Sequence, residues 1–397
     1  MELPAGYYEF SKDEGLNFQL NRFYSSGTIS FDELLEIGNK VNSFDEWIEL
    51  FTRLAEDAEK KGNYLKAAQC YRAAQFYTLG DKTDEQGRTM KRVLYEKCRL
   101  NYDLIYGKIN GLVYDRIAYG SAYLPVYYMK PQAPKGTVVI CGGYDSFVQE
   151  FMEFIFFFHE KNYAVYFFEG PGQGEALHRC NMKMNARWED CTSAVLDHYN
   201  LQGVTLIGIS LGGYLATRAA AFESRISKLV MYDLIYDFYG SLIAKMGKVK
   251  GRFFNWMIKS QKNPFWKIVN KKFDEVYFTK WLLQQGYEIF ENVSTPYEYF
   301  NHIKQYNTRE ISSLIKQDTL VLAGESDIYT IYYQDQLKAL INAKSVTGRL
   351  YTKKENADHH CQIGNLGLVL DTIYNWIEGT GGYSNGKESS TYGWKKG

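Results

Sequence analysis

The sequence predicts an α/β fold: a mostly parallel central sheet with helices on both faces, a helical N-terminal region and a helical cap insertion. Three observations support this prediction. Short, continuous apolar runs alternate with helical stretches from about residue 112 onward, helical periodicity dominates the region before that point, and an aromatic, helix-like interval at 235–312 interrupts the alternation. Continuous apolar strands separated by helices are typical of a parallel sheet that is covered on both faces.

Residues 1–110 are predicted to form a helical lid or packing domain. Between 43 and 78 apolar residues recur at spacings of three and four, and Gly62-Asn63 divides this stretch into two helices. Ser43, followed three residues later by Glu46, is a capping-box signature for the first of them. The helical hairpin has no second copy in the chain, so a repeat solenoid that recruits protein partners is not expected.

The strands of the sheet are predicted in two blocks, 111–234 and 313–378, which together form the core domain. A hairpin that turns at Gly120-Ser121 opens the first block. The remaining strand candidates are 137–143, 163–170, 204–210, 228–234, 319–327 and 348–354. Residues 235–312, between the two blocks, are predicted to cap the sheet. Residues 379–397 are rich in glycine and serine and are predicted to form a flexible tail.

Composition restricts the classes of partner. The chain has 397 residues, with 46 basic and 46 acidic side chains that cancel. This balance argues against nucleic acid or an anionic membrane as the main partner and favours a small molecule. Aromatic residues make up 16% of the chain, and such side chains line pockets for flat or apolar ligands as well as filling cores.

The cysteines and the N-terminus predict a cytoplasmic protein. The six cysteines have neither a CxxC spacing nor a metal-ligand spacing, so they are expected to be free thiols, and no metal is expected. The first residues lack the charged and then apolar pattern of a signal peptide. The apolar run at 154–158 is far too short to span a bilayer.

The stretch LIGISLGGY, residues 206–214, carries the strongest functional signal. A predicted strand runs into Ser210, and a predicted helix begins near Gly212. The G-x-S-x-G pattern at such a junction is the nucleophile elbow, in which the serine occupies a strained turn that only small neighbours allow. The turn also places Ser210 beside a helix N-terminus, where free N–H groups stabilise developing negative charge. Ser210 is therefore the predicted nucleophile.

A serine nucleophile needs a base to accept its proton. In sheets of this kind the acid and then the histidine follow the serine along the chain. Three histidines follow Ser210, and His302 lies in the predicted cap. His359 and His360 fall in the loop after the last predicted strand, where the base belongs. His360 is the favoured base, and His359 remains the alternative.

The acid that orients the base should end the preceding strand. The run TLVLAGESD offers Asp327 at its tip and Glu325 two residues earlier. Asp327 is the favoured acid, with Glu325 as the alternative. Asp358, beside the histidines, is interpreted as a solvated loop residue.

Two backbone N–H groups are expected to hold the oxyanion. Leu211, directly after the nucleophile, supplies one. The CGGYDS loop after strand 137–143 supplies the other, from Gly143 or Tyr144.

Three carboxylates near these segments are candidates for substrate binding. Glu150 and Glu175 are candidate substrate-binding residues, and Asp145 is a further candidate, although a solvated position is the favoured interpretation of each. The EGPGQGE loop, 169–175, lacks a Walker lysine and a dinucleotide-binding glycine pattern, so no cofactor is expected.

The segments GISLGG, GGYDS, EGPGQGE, AGESD and HHCQ together resemble one branch of the α/β-hydrolases. This branch contains the fermentation-respiration switch esterase, 2,6-dihydroxypseudooxynicotine hydrolase and the polyketide-shortening hydrolases of pigment pathways, and the likeness covers roughly residues 45–378. The resemblance implies an α/β-hydrolase fold, a triad of Ser210, Asp327 and His360, no metal, a homodimer and, in several members, cleavage of a carbon–carbon bond beside a ketone. The doubled histidine departs from the family pattern, which requires only the histidine before the cysteine.

These observations favour a hydrolase that cleaves a carbon–carbon bond next to a ketone, a retro-Claisen reaction, in an aromatic or polyketide-like substrate through an acyl-enzyme. Two alternatives remain open. The same triad would serve a carboxylic ester hydrolase, and a hydrolase-like fold without catalysis would bind a ligand or a protein partner.

Overall fold

An eight-stranded sheet forms the centre of the protein in the computed structural model, which describes residues 3–80, Thr83, Glu85 and 88–380. The strands are β1 (Val113–Tyr119), β2 (Ala122–Met129), β3 (Thr137–Cys141), β4 (Ala164–Phe168), β5 (Val204–Ile209), β6 (Ile226–Tyr232), β7 (Asp318–Gly324) and β8 (Ser345–Tyr351). Their order across the sheet is β1-β2-β4-β3-β5-β6-β7-β8. β1 and β2 pair antiparallel, β2 pairs antiparallel with β4, and all other pairs are parallel. The predicted mostly parallel sheet is confirmed.

Five helices precede the sheet: α1 (Glu14–Ser25), α2 (Phe31–Lys40), α3 (Phe44–Lys60), α4 (Tyr64–Tyr77) and α5 (Met90–Tyr106). The break between α3 and α4 falls at the predicted Gly62-Asn63. Ser43 caps α3 by accepting from the Glu46 N–H, but the Glu46 carboxylate accepts from the N–H of Asn42 rather than from Ser43. Every residue of 67–77 is buried, so α4 is covered on all sides and holds this region together.

Helices also cover the faces of the sheet and form the cap. Those beside the sheet are α6 (Met152–Glu160), α7 (Gly174–His178), α8 (Trp188–His198), α9 (Gly212–Phe222), α15 (Tyr333–Ala339) and α16 (Leu366–Glu378). The insertion between β6 and β7 contains α10 (Phe238–Lys245), α11 (Lys248–Met257), α12 (Trp266–Asp274), α13 (Tyr277–Ile289) and α14 (Pro296–His302). The cap packs on the N-terminal helices, since the rings of Phe76 in α4 and Trp281 in α13 stack at 4.5 Å.

The cysteines, the length of the helices and the tail were also subjects of prediction. All six cysteines are free thiols. Across the described ranges, none of the helices combines the length and the apolar character that a membrane crossing requires. The predicted flexible tail lies, from residue 381 onward, outside the described residues.

Candidate active site

Ser210 lies in a sharp turn between a strand and a helix. β5 ends at Ile209, α9 begins at Gly212, and Ser210 between them has a φ of 61°. This left-handed conformation is rare for residues other than glycine and marks a strained position. A Cβ on Gly208 would lie 1.9 Å from the carbonyl oxygen of Gly212, so the close approach of strand and helix requires glycine there. The local sequence therefore produces the turn that lifts Ser210 to the end of the sheet.

The structure brings Ser210, His360 and Asp327 together. Ser210 Oγ lies 2.7 Å from Nε2 of His360. The other ring nitrogen, Nδ1, lies 2.6 Å from Oδ2 of Asp327. Asp327 follows β7 and His360 follows β8, and the C-terminal ends of neighbouring parallel strands meet at one edge of the sheet. With Nδ1 donating to Asp327, Nε2 is free to accept the hydroxyl proton of Ser210.

The second histidine of the pair has a different environment. The His359 ring stacks on the ring of Tyr7, with their centroids 3.6 Å apart. Nε2 of His359 lies 3.7 Å from the carboxylate of Asp358. Asp358 is itself buried and accepts a hydrogen bond from Ser326 at 2.6 Å, so its interpretation as a solvated loop residue was wrong. His359 thus joins the loop to the N-terminal segment.

Electrostatics favour a charged imidazole between Ser210 and Asp327. Burial alone would lower the pKa of His360, but the Asp327 carboxylate and its hydrogen bond outweigh burial and hold that pKa well above its usual value. Burial would likewise raise the pKa of Asp327, but the attraction of His360 and the hydrogen bond between them lower it. The site therefore stabilises the imidazolium form of His360, which is the form that a proton transfer from Ser210 would produce.

The site contains a second buried acid, Asp233, which sequence analysis did not identify. Its Oδ2 lies 3.5 Å from Nδ1 of His360 and accepts the N–H of Cys361 at 2.8 Å. The amide of Gln362 donates to the same carboxyl group at 3.2 Å. Cys361 and Gln362 have φ angles of 50° and 48°, so Asp233 holds a strained turn directly after the base. Asp233 directly follows β6. This position at the C-terminal edge of the sheet is the sequence signal that could have identified Asp233 as a residue of the site.

Three neighbouring side chains at the site are of the types that bind metal ions. Oxygen, nitrogen and sulfur atoms of Asp233, His360 and Cys361 lie within 4.8 Å of one another. Two of these residues already serve the hydrogen bonds just described: Nδ1 of His360 is paired with Asp327, and Oδ2 of Asp233 accepts from the Cys361 N–H.

The oxyanion loop, residues 141–146, packs directly against the turn of Ser210. A Cβ on Gly143 would lie 2.9 Å from the Leu211 nitrogen, so the loop reaches the elbow only because residue 143 is glycine. The Gly143 N–H donates to Ser146 Oγ at 2.7 Å and is therefore occupied. Among the described residues the N–H groups of Tyr144 and Leu211 have no acceptor. Of the predicted donors, Leu211 and Tyr144 remain available for an oxyanion.

An arginine of the N-terminal region fixes the oxyanion loop. Arg72, fully buried in α4, donates to the backbone oxygen of Asp145 at 2.7 Å and to its carboxylate at 2.8 Å. Arg72 also pairs with Glu150 at 2.8 Å, and Arg22 pairs with the other oxygen of Glu150 at the same distance. A solvated position for Asp145 or Glu150 is therefore wrong. These ion pairs engage both oxygens of Glu150, which leaves the carboxylate in a structural rather than a substrate-binding position.

Glu175 has a comparable structural environment. It is fully buried, forms an ion pair with Arg99, and lies 2.8 Å from Arg116 and 2.7 Å from the hydroxyl of Tyr123. Burial would raise the pKa of Glu175, but the charge of Arg99, hydrogen bonds from the hydroxyls of Tyr123 and Tyr114, and the charge of Arg179 lower it. The carboxylate thus ties α5 and the first hairpin to α7. A solvated position for Glu175 is therefore wrong, and its partners are those of a structural ion pair rather than of a substrate-binding group.

A row of aromatic rings runs from the base into the cap. The Tyr329 ring lies 5.3 Å from the His360 imidazole, the Phe238 ring lies 6.0 Å from Tyr329, and the Tyr144 ring lies 6.0 Å from Phe238. Tyr144 also contacts Trp281 at 5.9 Å. The surroundings of the base are therefore apolar and aromatic. A separate cavity of about 190 Å³ lies within the cap, between α12 and α13, and the catalytic candidates do not line it.

Comparison with known proteins identifies the family and supports the fold. The family model of the alpha/beta hydrolase fold matches residues 137–365. Hydrolase acrC of Aspergillus aculeatus is 28% identical over 61% of this chain and 59% of its own length. The 20-hydroxy-prefusarin hydrolase FUS2 of Gibberella moniliformis is 24% identical over 82% of this chain and 84% of its own.

A third relative and one solved structure cover most of the chain. The 2,6-dihydropseudooxynicotine hydrolase of Paenarthrobacter nicotinovorans is 26% identical over 90% of this chain and 89% of its own. The crystal structure of 2,6-dihydroxy-pseudo-oxynicotine hydrolase superposes with a TM-score of 0.57 at 20% identity, over 89% of this chain and 95% of that one. This superposition supports the fold.

Proposed function

Since this chain belongs to the alpha/beta hydrolase family and is a hydrolase, we propose that it cleaves a carbon–carbon bond next to a ketone in an aromatic or polyketide-like substrate, with Ser210 as nucleophile. The observation that carries the proposal is the continuous hydrogen-bonded chain Ser210–His360–Asp327, with distances of 2.7 Å and 2.6 Å. A hydroxyl of ordinary acidity becomes nucleophilic only when such a base accepts its proton.

The first half of the reaction forms an acyl-enzyme. His360 Nε2 takes the proton of Ser210 as Oγ adds to the ketone carbon, and the former carbonyl oxygen becomes an oxyanion. The N–H groups of Leu211 and Tyr144 donate to that oxyanion. Collapse restores the carbonyl and breaks the bond to the neighbouring carbon. The electron pair leaves with that carbon, and His360 returns its proton there.

The second half releases the acid. His360 takes a proton from a water molecule, whose oxygen adds to the acyl carbon and forms a second oxyanion in the same place. Collapse then expels Ser210 Oγ, which recovers its proton from His360. The leaving carbon in the first half must be next to a second carbonyl or an electron-poor ring, because an unstabilised carbanion departs far too slowly.

Two observations favour carbon–carbon cleavage over ester hydrolysis. Aromatic side chains surround the base, with the Tyr329 ring 5.3 Å from His360, and such rings accommodate flat, conjugated substrates. Two of the relatives that match most of the chain are named as hydrolases of 20-hydroxy-prefusarin and of 2,6-dihydropseudooxynicotine. These alignments cover 82% and 90% of this chain, so the similarity extends beyond residues 137–365.

The decisive assay compares an aryl β-diketone with a p-nitrophenyl ester. We expect the diketone to be cleaved to a carboxylic acid and a methyl ketone with the higher kcat/KM, and Ser210→Ala to abolish turnover of both. Faster hydrolysis of the ester with no cleavage of the diketone would instead assign the site to a carboxylic ester hydrolase. Retained diketone turnover in Ser210→Ala would refute the serine mechanism.

A further inference from the structure

The outer surface of α11 and α12 in the cap carries five exposed apolar side chains, which we call the cap patch: Val249, Phe253, Trp256, Phe265 and Ile268. The exposed fraction is 83% for Val249 and 53% for Trp256. Contiguous exposed apolar groups of this kind mark interaction sites.

The patch is one continuous surface formed by two helices. The Phe265 ring lies 5.2 Å from Phe253 and 6.1 Å from Trp256, and the latter two rings lie 5.6 Å apart. Val249, Phe253 and Trp256 follow the spacing of one helix face. The side of α11 that packs into the cap is a different one, since its buried residues are Gly251, Phe254 and Met257. α11 therefore has two apolar faces, and only one of them is covered.

Positive charge surrounds the cap patch. Nine lysine and arginine residues and no aspartate or glutamate occur between residues 245 and 272, although the whole chain is neutral. All nine are exposed: Lys245, Lys248, Lys250, Arg252, Lys259, Lys262, Lys267, Lys271 and Lys272. In the described part of the chain, none of them has a carboxylate within 4.0 Å, whereas many other cations form ion pairs. These charges are available to an external anion.

We propose that the cap patch docks onto an anionic lipid bilayer surface. Its apolar side chains would enter the boundary between headgroups and acyl chains, and the surrounding cations would contact lipid phosphates. A helix pair with aromatic and aliphatic side chains on one face and Lys or Arg beside them is the pattern of interfacial membrane binding. Long lysine side chains reach past an inserted apolar face to the headgroups.

Charge decides against a second copy of this chain as the occupant. A two-fold contact through the cap patch would bring the same surface of both copies together. The nine cations of residues 245–272 would then meet nine more, with Asp274 and Glu275 at the end of α12 as the nearest carboxylates in the sequence. An anionic surface has the complementary charge, and apolar insertion favours a bilayer over a soluble acidic protein.

The test uses the intact chain in vesicle co-sedimentation. Vesicles of phosphatidylcholine alone are compared with vesicles of equal parts phosphatidylcholine and phosphatidylglycerol, at low and high salt. We expect sedimentation with the anionic vesicles at low salt only. A variant with Lys248, Lys250, Lys259 and Lys262 each changed to Glu should bind at least about tenfold more weakly, because each cation near the surface contributes severalfold to binding. Phe253→Ser with Ile268→Ser should also weaken binding.

The matched control changes four exposed lysines outside the cap, Lys108, Lys316, Lys338 and Lys354, each to Glu. The control should bind as the unmodified chain does, and circular dichroism should show all variants folded. Failure of the unmodified chain to bind anionic vesicles would overturn the proposal, even if a soluble acidic protein binds the patch. Equal binding by the cap variant and the control would also overturn it.

Discussion

Asp233 Oδ2 lies 3.5 Å from Nδ1 of His360, the same nitrogen that is 2.6 Å from Asp327. Two buried carboxyl groups thus adjoin one imidazole, and like charges so close together are not both ionised. Burial, reinforced by the negative charge of Asp327, raises the pKa of Asp233 well above its usual value, whereas His360 holds that of Asp327 low. Asp233 is accordingly the protonated member of the pair and Asp327 the charged one.

Replacing Asp233 by Asn should preserve the neutral form and its hydrogen bonds. We expect kcat to fall by no more than roughly tenfold, about 1.4 kcal/mol in the barrier. A carboxyl whose pKa is raised by folding contributes stability at low pH and loses it as the pH rises through the folded-state value. The Tm of the unmodified chain should therefore fall relative to that of Asp233→Asn as the pH is raised. Parallel Tm curves from pH 5 to 9 would refute a protonated Asp233.

Replacing Asp327 by Asn should leave more activity than the loss of an isolated triad acid. Loss of the acid in a serine protease lowers kcat by about 10⁴-fold. Here Asp233 is close enough to accept a hydrogen bond from Nδ1 of His360 once residue 327 is neutral. We therefore expect kcat to fall by about 10²- to 10³-fold in Asp327→Asn. In the double variant Asp233→Asn with Asp327→Asn, kcat should be about 10⁴-fold lower than in the unmodified chain. Equal kcat values in the single and double variants would show that Asp233 gives no such support.

The two neighbouring histidines offer a matched pair of variants. His360→Asn should abolish turnover, whereas His359→Asn should keep kcat within about twofold and lower only the Tm, because His359 stacks on Tyr7 away from the reacting atoms. Because the pKa of His360 is raised and the base acts unprotonated, kcat/KM should increase with pH until His360 is neutral. A pH profile that is unchanged in Asp327→Asn would contradict this assignment, since loss of Asp327 removes the charge that raises the pKa.

The close contact between the oxyanion loop and the turn of Ser210 predicts that one methyl group added at residue 143 lowers kcat strongly. In Gly143→Ala the new Cβ would lie 2.9 Å from both the Leu211 nitrogen and the Ser210 Cβ. Displacement of the loop should cost about 10²- to 10³-fold in kcat, comparable to the loss of one oxyanion donor. Gly367→Ala is the control, because no atom lies within 4 Å of its added Cβ. If Gly143→Ala and Gly367→Ala had equal kcat values, the loop would not hold the oxyanion.

The elements that were predictable from the sequence are those whose signals are local. The glycines around Ser210 indicate a turn by themselves, and the order of serine, acid and histidine along the chain indicates Asp327 and the histidine pair. The alternating runs also predict the parallel orientation of β3 to β8, whereas no local pattern predicts the order of these strands across the sheet.

The features that were missed depend on long-range placement. Asp233 acts only because β6 lies between β5 and β7, which brings the end of one strand to residues of two others. Arg72 meets Asp145 from another region of the chain, 73 residues away, so no local pattern marks either as buried. The neutral total charge concealed the basic run of the cap, since a sum over the chain discards where the charges lie.

We claim that His360 activates Ser210 for covalent attack, and trapping with a fluorophosphonate tests this activation without knowledge of the substrate. Peptide mass spectrometry should find the label on Ser210, and the rate of labelling should fall by at least about 10²-fold in His360→Asn but not in His359→Asn. Absence of label on Ser210, or equal labelling rates in the two histidine variants, would contradict the claim; absence of label would also return the non-catalytic, ligand-binding alternative to consideration.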